Sequence, residues 1–101
     1  MTVNEKKFSL YLIALRFLGF KITPNIERIY LNIDMNSNNI MLIAFYHNSP
    51  SELEMELLDD IVTNTNAHIP DFFVEASVKL MVDFDNTIKY DFNVFAMYAE
   101  Y

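Results

Sequence analysis

The sequence predicts an α+β domain: a largely antiparallel four-stranded sheet with helices packed on one face, in the order helix, strand, strand, helix, strand, strand. Three observations predict it. Two stretches carry apolar residues at helical spacing, each opened by capping residues. Two pairs of strand-like stretches are each joined by a short polar turn. The chain has 101 residues, 52% of them hydrophobic, with no Pro/Gly/Ser linker, repeat or low-complexity tract. That length suits one compact unit over 1–101 with room for a modest core.

Taken in order, Thr2 and Glu5 fit a capping box. Phe8, Tyr11/Leu12, Leu15 and Leu18 then recur at helical spacing, and Gly19, the only glycine, sits where a left-handed C-cap would need it. Lys21 to Asn25 reads as a loop, because Pro24 disfavours helix at Thr23. From Arg28 to Asp34 the pattern alternates, with Ile29, Leu31 and Ile33 on the inner side. Asn36-Ser37-Asn38-Asn39 is a turn whose asparagines tolerate positive φ. Ile40 to His47 is apolar at nearly every position and reads as a more central strand, paired with the first as a hairpin.

Ser49-Pro50-Ser51-Glu52 opens the second helix, with Ser49 as cap, Pro50 at the first helical position and Glu52 closing the box. Its expected buried stripe is Leu53, Leu57, Leu58, Ile61 and Val62, and the helix ends near His68-Ile69-Pro70. Val74, Ala76, Val78, Leu80 and Val82 alternate with polar neighbours as a third strand. Asp83 to Lys89 is turn-like, and Phe92 to Tyr101 makes a fourth.

Composition removes many chemistries. With no Cys there is no disulfide, thiolate nucleophile or thiolate zinc site, and a single Gly leaves no phosphate-cradling loop. The longest apolar runs, such as Ile40–Tyr46, are far below the roughly 20 residues that span a bilayer. No basic segment leads into an apolar stretch with a small-residue cleavage site. The expectation is a cytoplasmic protein with no cofactor and no membrane partner.

Charge is informative through its placement. Residues 1–28 hold five Lys/Arg against two carboxylates, whereas residues 29–101 hold two against twelve. Between Arg28 and Lys79 there is no Lys or Arg. Such a field repels nucleic acid, whose binding depends on cations neutralising phosphates. It attracts a basic protein and speeds the encounter.

Candidate catalytic residues are few. His47 and His68 lie in no nucleophile motif, and a nucleophile needs a base within hydrogen-bond reach. Asp83-Phe84-Asp85-Asn86 superficially matches an oxygen-rich cation site but lacks the glycine and terminal glutamate of a calcium loop. A turn built on Asp and Asn explains it better. The carboxylates at 52–60 suit a solvated helix face, with those of the first turn favoured by the helix dipole. What the dipole leaves unexplained is the absence of a compensating Lys on the same helix. Exposed tyrosines near that acidic rim could anchor a partner, with Tyr30, Tyr46, Tyr90, Tyr98 and Tyr101 as candidates.

The succession of fragments also resembles a family. Leu18-Gly19-Phe20-Lys21-Ile22-Thr23-Pro24-Asn25-Ile26-Glu27-Arg28, the strand ending at Asp34, Ile40 to Tyr46, Ser49-Pro50-Ser51-Glu52, and Ile61 through Ile69-Pro70-Asp71 resemble small bacterial immunity proteins of the contact-dependent growth inhibition or polymorphic toxin type. The likeness runs over about residues 10–83. It implies an inhibitor without catalysis of its own, which binds one-to-one to the C-terminal toxic domain of a cognate toxin. Among such toxins a nuclease is implied, with a pancreatic-type ribonuclease as one form. A nuclease cleft holds phosphates and is basic, so an acidic inhibitor can occlude it as a polyanion mimic. From charge and placement, the partner-binding residues are expected to be Glu52, Glu54, Glu56, Asp59 and Asp60, with Tyr46, His47 and Asp71 beside them. The alternatives are a homo-oligomeric adaptor joined through an exposed strand or aromatic patch, or a small ligand-binding domain, which would need convergent polar groups in a pocket.

Overall fold

The computed structural model describes residues 2–16 and 23–96. Gly19 as a cap, Leu18 on the first helical stripe, Lys21, and the strand's extension through Tyr98 and Tyr101 all lie outside the described residues. Within them the order is α1 (Val3–Leu15), β1 (Ile26–Asp34), β2 (Asn39–Tyr46), α2 (Glu52–His68), β3 (Phe73–Leu80), a 3-10 turn (Met81–Asp83) and β4 (Phe92–Ala96).

Local signals are realised close to where the residues place them. Thr2 accepts from the Glu5 amide at 3.1 Å and opens α1. The β1–β2 hairpin closes through the pair Asp34 and Asn39. Its turn takes positive φ at Asn38, at 55°, a conformation asparagine tolerates better than other non-glycine residues. The Asp34 carboxylate accepts from the Asn36 and Ser37 amides at 2.9 and 3.3 Å. The second capping box, however, lies two residues beyond its expected place. Ser51, not Ser49, accepts from the Glu54 amide, and Glu54 Oε1 accepts from the Ser51 amide. Both serines offer the same hydroxyl, and only Ser51 leaves an acidic residue at the third helical position that can also reach Thr23 and Asn25.

Strand pairing departs from the expected antiparallel sheet. The order is β3-β2-β1-β4, with β1 antiparallel to both β2 and β4 and β2 parallel to β3. The last two strands therefore form no hairpin; they are the two edges of a mixed sheet. The reason lies in the connections. A strand that leaves through a helix returns to the end it started from, so α2 carries β3 back parallel to β2. The segment between β3 and β4 is long enough to cross the sheet and deliver β4 beside β1.

Both faces of the sheet are used unequally. Ile29, Leu31 and Ile33 of β1, Ile40, Leu42 and Ala44 of β2, and Val74 of β3 pack with Leu10 and Ala14 of α1 and Leu58 and Ile61 of α2. The helices thus share one face. Each buried Leu, Ile or Val among them contributes about 1.5–3 kcal/mol relative to exposure. On the opposite face Tyr30, Ile43 and Phe45 form a smaller cluster covered by Met81, Phe84 and Tyr90. Tyr30 stacks on Tyr90 at 4.3 Å, and Phe84 meets Phe45 edge-on at 5.2 Å. The Arg28 guanidinium lies 4.6 Å over the Phe84 ring.

The helical stripes are rotated from their expected positions. In α1, Leu10 and Ala14 are buried while Phe8 and Leu12 are 52% and 45% exposed. This helix is apolar around much of its circumference, so periodicity alone offers several competing stripes. In α2, Leu53 is 64% exposed and Thr65 is buried at 2%. Val82, expected to continue β3 inward, is exposed because the strand ends at Leu80 and turns.

Among the described residues Thr65 Oγ1 is buried without a hydrogen-bond partner. An unsatisfied buried hydroxyl is costly. Thr65→Val, which keeps the shape, is expected to raise stability by about 1 kcal/mol in urea unfolding; a lowered midpoint would count against the unsatisfied state.

A candidate partner-binding face on the second helix

α2 turns its apolar residues onto the sheet and its carboxylates away from it. With Leu58, Ile61 and Thr65 buried, a period of 3.6 residues places Glu52, Glu56, Asp59 and Asp60 within about 100° of arc on the opposite side. All four are exposed. Along the axis they extend over about 12 Å. Glu52, Glu56 and Asp59 have no ion-pair partner among the described residues. Glu52 sits in the first turn, where the helix dipole favours it. The spacings Glu52/Glu56 and Glu56/Asp60 set like charges four residues apart, which opposes the helix by a few tenths of a kcal/mol per pair. That repulsion is not offset by any Lys or Arg on the helix.

Glu54 differs from its neighbours. It accepts from Thr23 Oγ1 at 2.7 Å, Asn25 Nδ2 at 3.4 Å and the Ser51 amide at 3.2 Å. Slight burial raises its pKa, but these hydrogen bonds to the charged form prevail and hold the carboxyl below its usual range. Its charge is thus engaged inside the molecule. Asn25 extends the same junction, since its side chain donates to the Asn48 carbonyl and accepts from the Asn48 amide, each at 2.9 Å. Nothing in residue spacing marks this network, because Thr23 and Asn25 lie about thirty positions from Glu54. It fixes the N-terminal end of α2 against the start of β1, and a capping box of this kind contributes about 1 kcal/mol.

The remaining expected residues do not gather at one point. Tyr46 is 1% exposed, so its ring belongs to the core and offers a partner no surface. Desolvation and then the neighbouring Glu54 charge push its hydroxyl up to about 12. Tyr30 is likewise buried, at 8%. His47 is exposed just before α2, with Nδ1 3.5 Å from the Glu27 carboxylate. Asp71 is exposed in the turn after α2. A helix of 17 residues separates these two ends by about 25 Å.

The alternative chemistries find other roles for their residues. Asp85 accepts from the Thr87 amide at 2.9 Å and its hydroxyl at 2.6 Å, which closes a turn. Asp91 accepts from the Ile33 amide at 2.7 Å and from Lys7 at 3.4 Å, bracing the start of β4. An open groove of about 450 Å³ beside it is lined by Lys7, Asn32, Asp34, Met35 and Asn36 among others. Among the described residues no group of three or more His, Asp or Glu is placed to hold a metal ion, and no helix is long and apolar enough to cross a membrane.

Two apolar side chains complete the face. Leu53 and Met55, 64% and 38% exposed, lie on the two flanks of the carboxylate arc. Comparison with known families places the chain. The family model described as MafI2 immunity protein matches residues 7–97. No curated protein matches the chain.

Proposed function

The chain belongs to the MafI2 immunity protein family, and from that premise we propose that it neutralises its cognate toxin by laying the outer face of α2 against a cationic surface of the toxin domain. The likeness to small bacterial immunity proteins of the polymorphic toxin type, read from the residues, is borne out by that membership. The reading supported best is a binding protein that inhibits without catalysis. Its partner is a basic nuclease domain, a ribonuclease being one form, held one-to-one in the cytoplasm.

The observation that carries the reading is the one-sided charge of α2. Glu52, Glu56, Asp59 and Asp60 face solvent together, on a chain with no Lys or Arg between Arg28 and Lys79. A nuclease must bind phosphate oxygens, so its cleft presents Lys and Arg, and regularly spaced carboxylates compete for the same positions. Exposed charges also steer the encounter, so the association rate falls as salt rises.

The test takes the cognate toxin domain, purified with an inactivating substitution. Mixing is expected to yield a one-to-one complex in sedimentation equilibrium. Its association rate should drop at least tenfold between about 20 and 300 mM salt, a range over which the screening length shrinks severalfold. A complex that forms at the same rate across that range would sink the electrostatic reading. A protein that self-associates and ignores the toxin domain would return the homo-oligomeric alternative.

A further inference from the structure

Carboxylates exposed to water accelerate an encounter but hold a complex weakly, because each must be desolvated and each is screened. Lasting inhibition needs apolar surface removed from water within the contact. We infer that Leu53 and Met55 are the apolar anchors of this face, seating in hydrophobic depressions beside the toxin's cationic patch, and that they set the lifetime of the complex while the carboxylates set its rate of formation. The inference rests on the reading that α2 docks the toxin.

Three observations support it. Leu53 falls on the expected core stripe of α2, yet it is 64% exposed, so the fold leaves it unused. It lies three and seven residues before Glu56 and Asp60, which places an apolar side chain against two carboxylates on one helical flank. Met55 lies four residues before Asp59 on the other flank. The two apolar side chains stand about 160° apart around the helix axis with the carboxylates between them, so a helix laid in a cleft meets the floor with charge and each wall with one apolar side chain. Finally, both residues lie in the opening turns of a helix whose end is secured by Ser51, Glu54, Thr23 and Asn25. An anchor on backbone already ordered loses little freedom on binding. The acidic strip between them selects the occupant, because only a cationic surface meets it without like-charge repulsion.

The experiment measures association and dissociation rates with the inactivated toxin domain for three variants: Leu53→Ala/Met55→Ala, Val82→Ala, and a charge-reversed Glu52→Lys/Glu56→Lys/Asp59→Lys. The double variant Leu53→Ala/Met55→Ala is expected to dissociate about 10- to 100-fold faster with an unchanged association rate. Val82→Ala, at a residue 84% exposed in the 3-10 turn whose Met81 covers the sheet face away from the helices, should change neither rate. Unchanged dissociation in the double variant, with the charge-reversed variant still slow to associate, overturns the anchors and leaves the docking face standing. If neither variant alters either rate, both readings fall. Equal acceleration by Val82→Ala overturns the anchors as well, since it would reflect a general loss of apolar surface.

Discussion

Reversing Glu52, Glu56 and Asp59 to lysine is expected to slow association with a basic toxin domain by about 100-fold at low ionic strength, within the 10- to 1,000-fold range of electrostatic steering. The three side chains are exposed and make no ion pair among the described residues, so their charge is available to a partner. Glu54 is left in place, because it closes the capping box and holds Thr23 and Asn25. Its replacement would confound a binding defect with a loosened helix. Circular dichroism should show α2 retained, since lysine and glutamate have similar helix propensities. The slope of log rate against ionic strength should flatten or change sign. Rates and slopes equal to those of the parent protein would mean that the toxin docks elsewhere.

Tyr46→Ala is expected to cost about 3–5 kcal/mol in denaturant unfolding, as large aromatic deletions do when the surroundings cannot collapse. Tyr46 ends the central strand β2, is 1% exposed, and packs in the main core. A domain of this size has about 5–15 kcal/mol in total, so the variant should sit near the folding threshold. A loss below about 1 kcal/mol would show that the site repacks. The conservative Tyr46→Phe isolates the hydroxyl. In the folded state it titrates at about 12 against an ordinary 10.0. Below pH 10 both states keep the proton and stability is unaffected. Between 10 and 12 the unfolded chain loses it first, so stability falls with rising pH and levels off above 12. Tyr46→Phe should remove most of that fall. Tyr90, also pushed up by burial and then by Tyr30 and Asp85, accounts for a remainder. An undiminished fall in Tyr46→Phe would refute the assignment.

The face on α2 was only partly legible in the residues. Glu52, Glu56, Asp59 and Asp60 could be placed on a solvated side because burial of Leu58 and Ile61 dictates what faces outward. Glu54 belongs to the same run of charge, yet its carboxylate is turned inward by partners about thirty positions away. Tyr46 and His47 are adjacent in sequence and opposite in fate, one in the core and one in water. β2 is buried on both faces and ends at Tyr46, whereas His47 falls in the loop that leads to α2.

The residues by themselves determined the elements, the hairpin turn at Asn36–Asn39, the central character of β2, the uneven charge and the family. These rest on interactions within a few positions: caps, turns and periodic apolar spacing. The tertiary structure alone decided that β3 lies parallel to β2, that β4 crosses to the far edge, which flanks of α1 and α2 are buried, and that Leu53 is left in solvent. Those outcomes depend on contacts between segments far apart in the chain. Their loop-closure cost and mutual packing are properties of the assembled molecule, which no local pattern encodes.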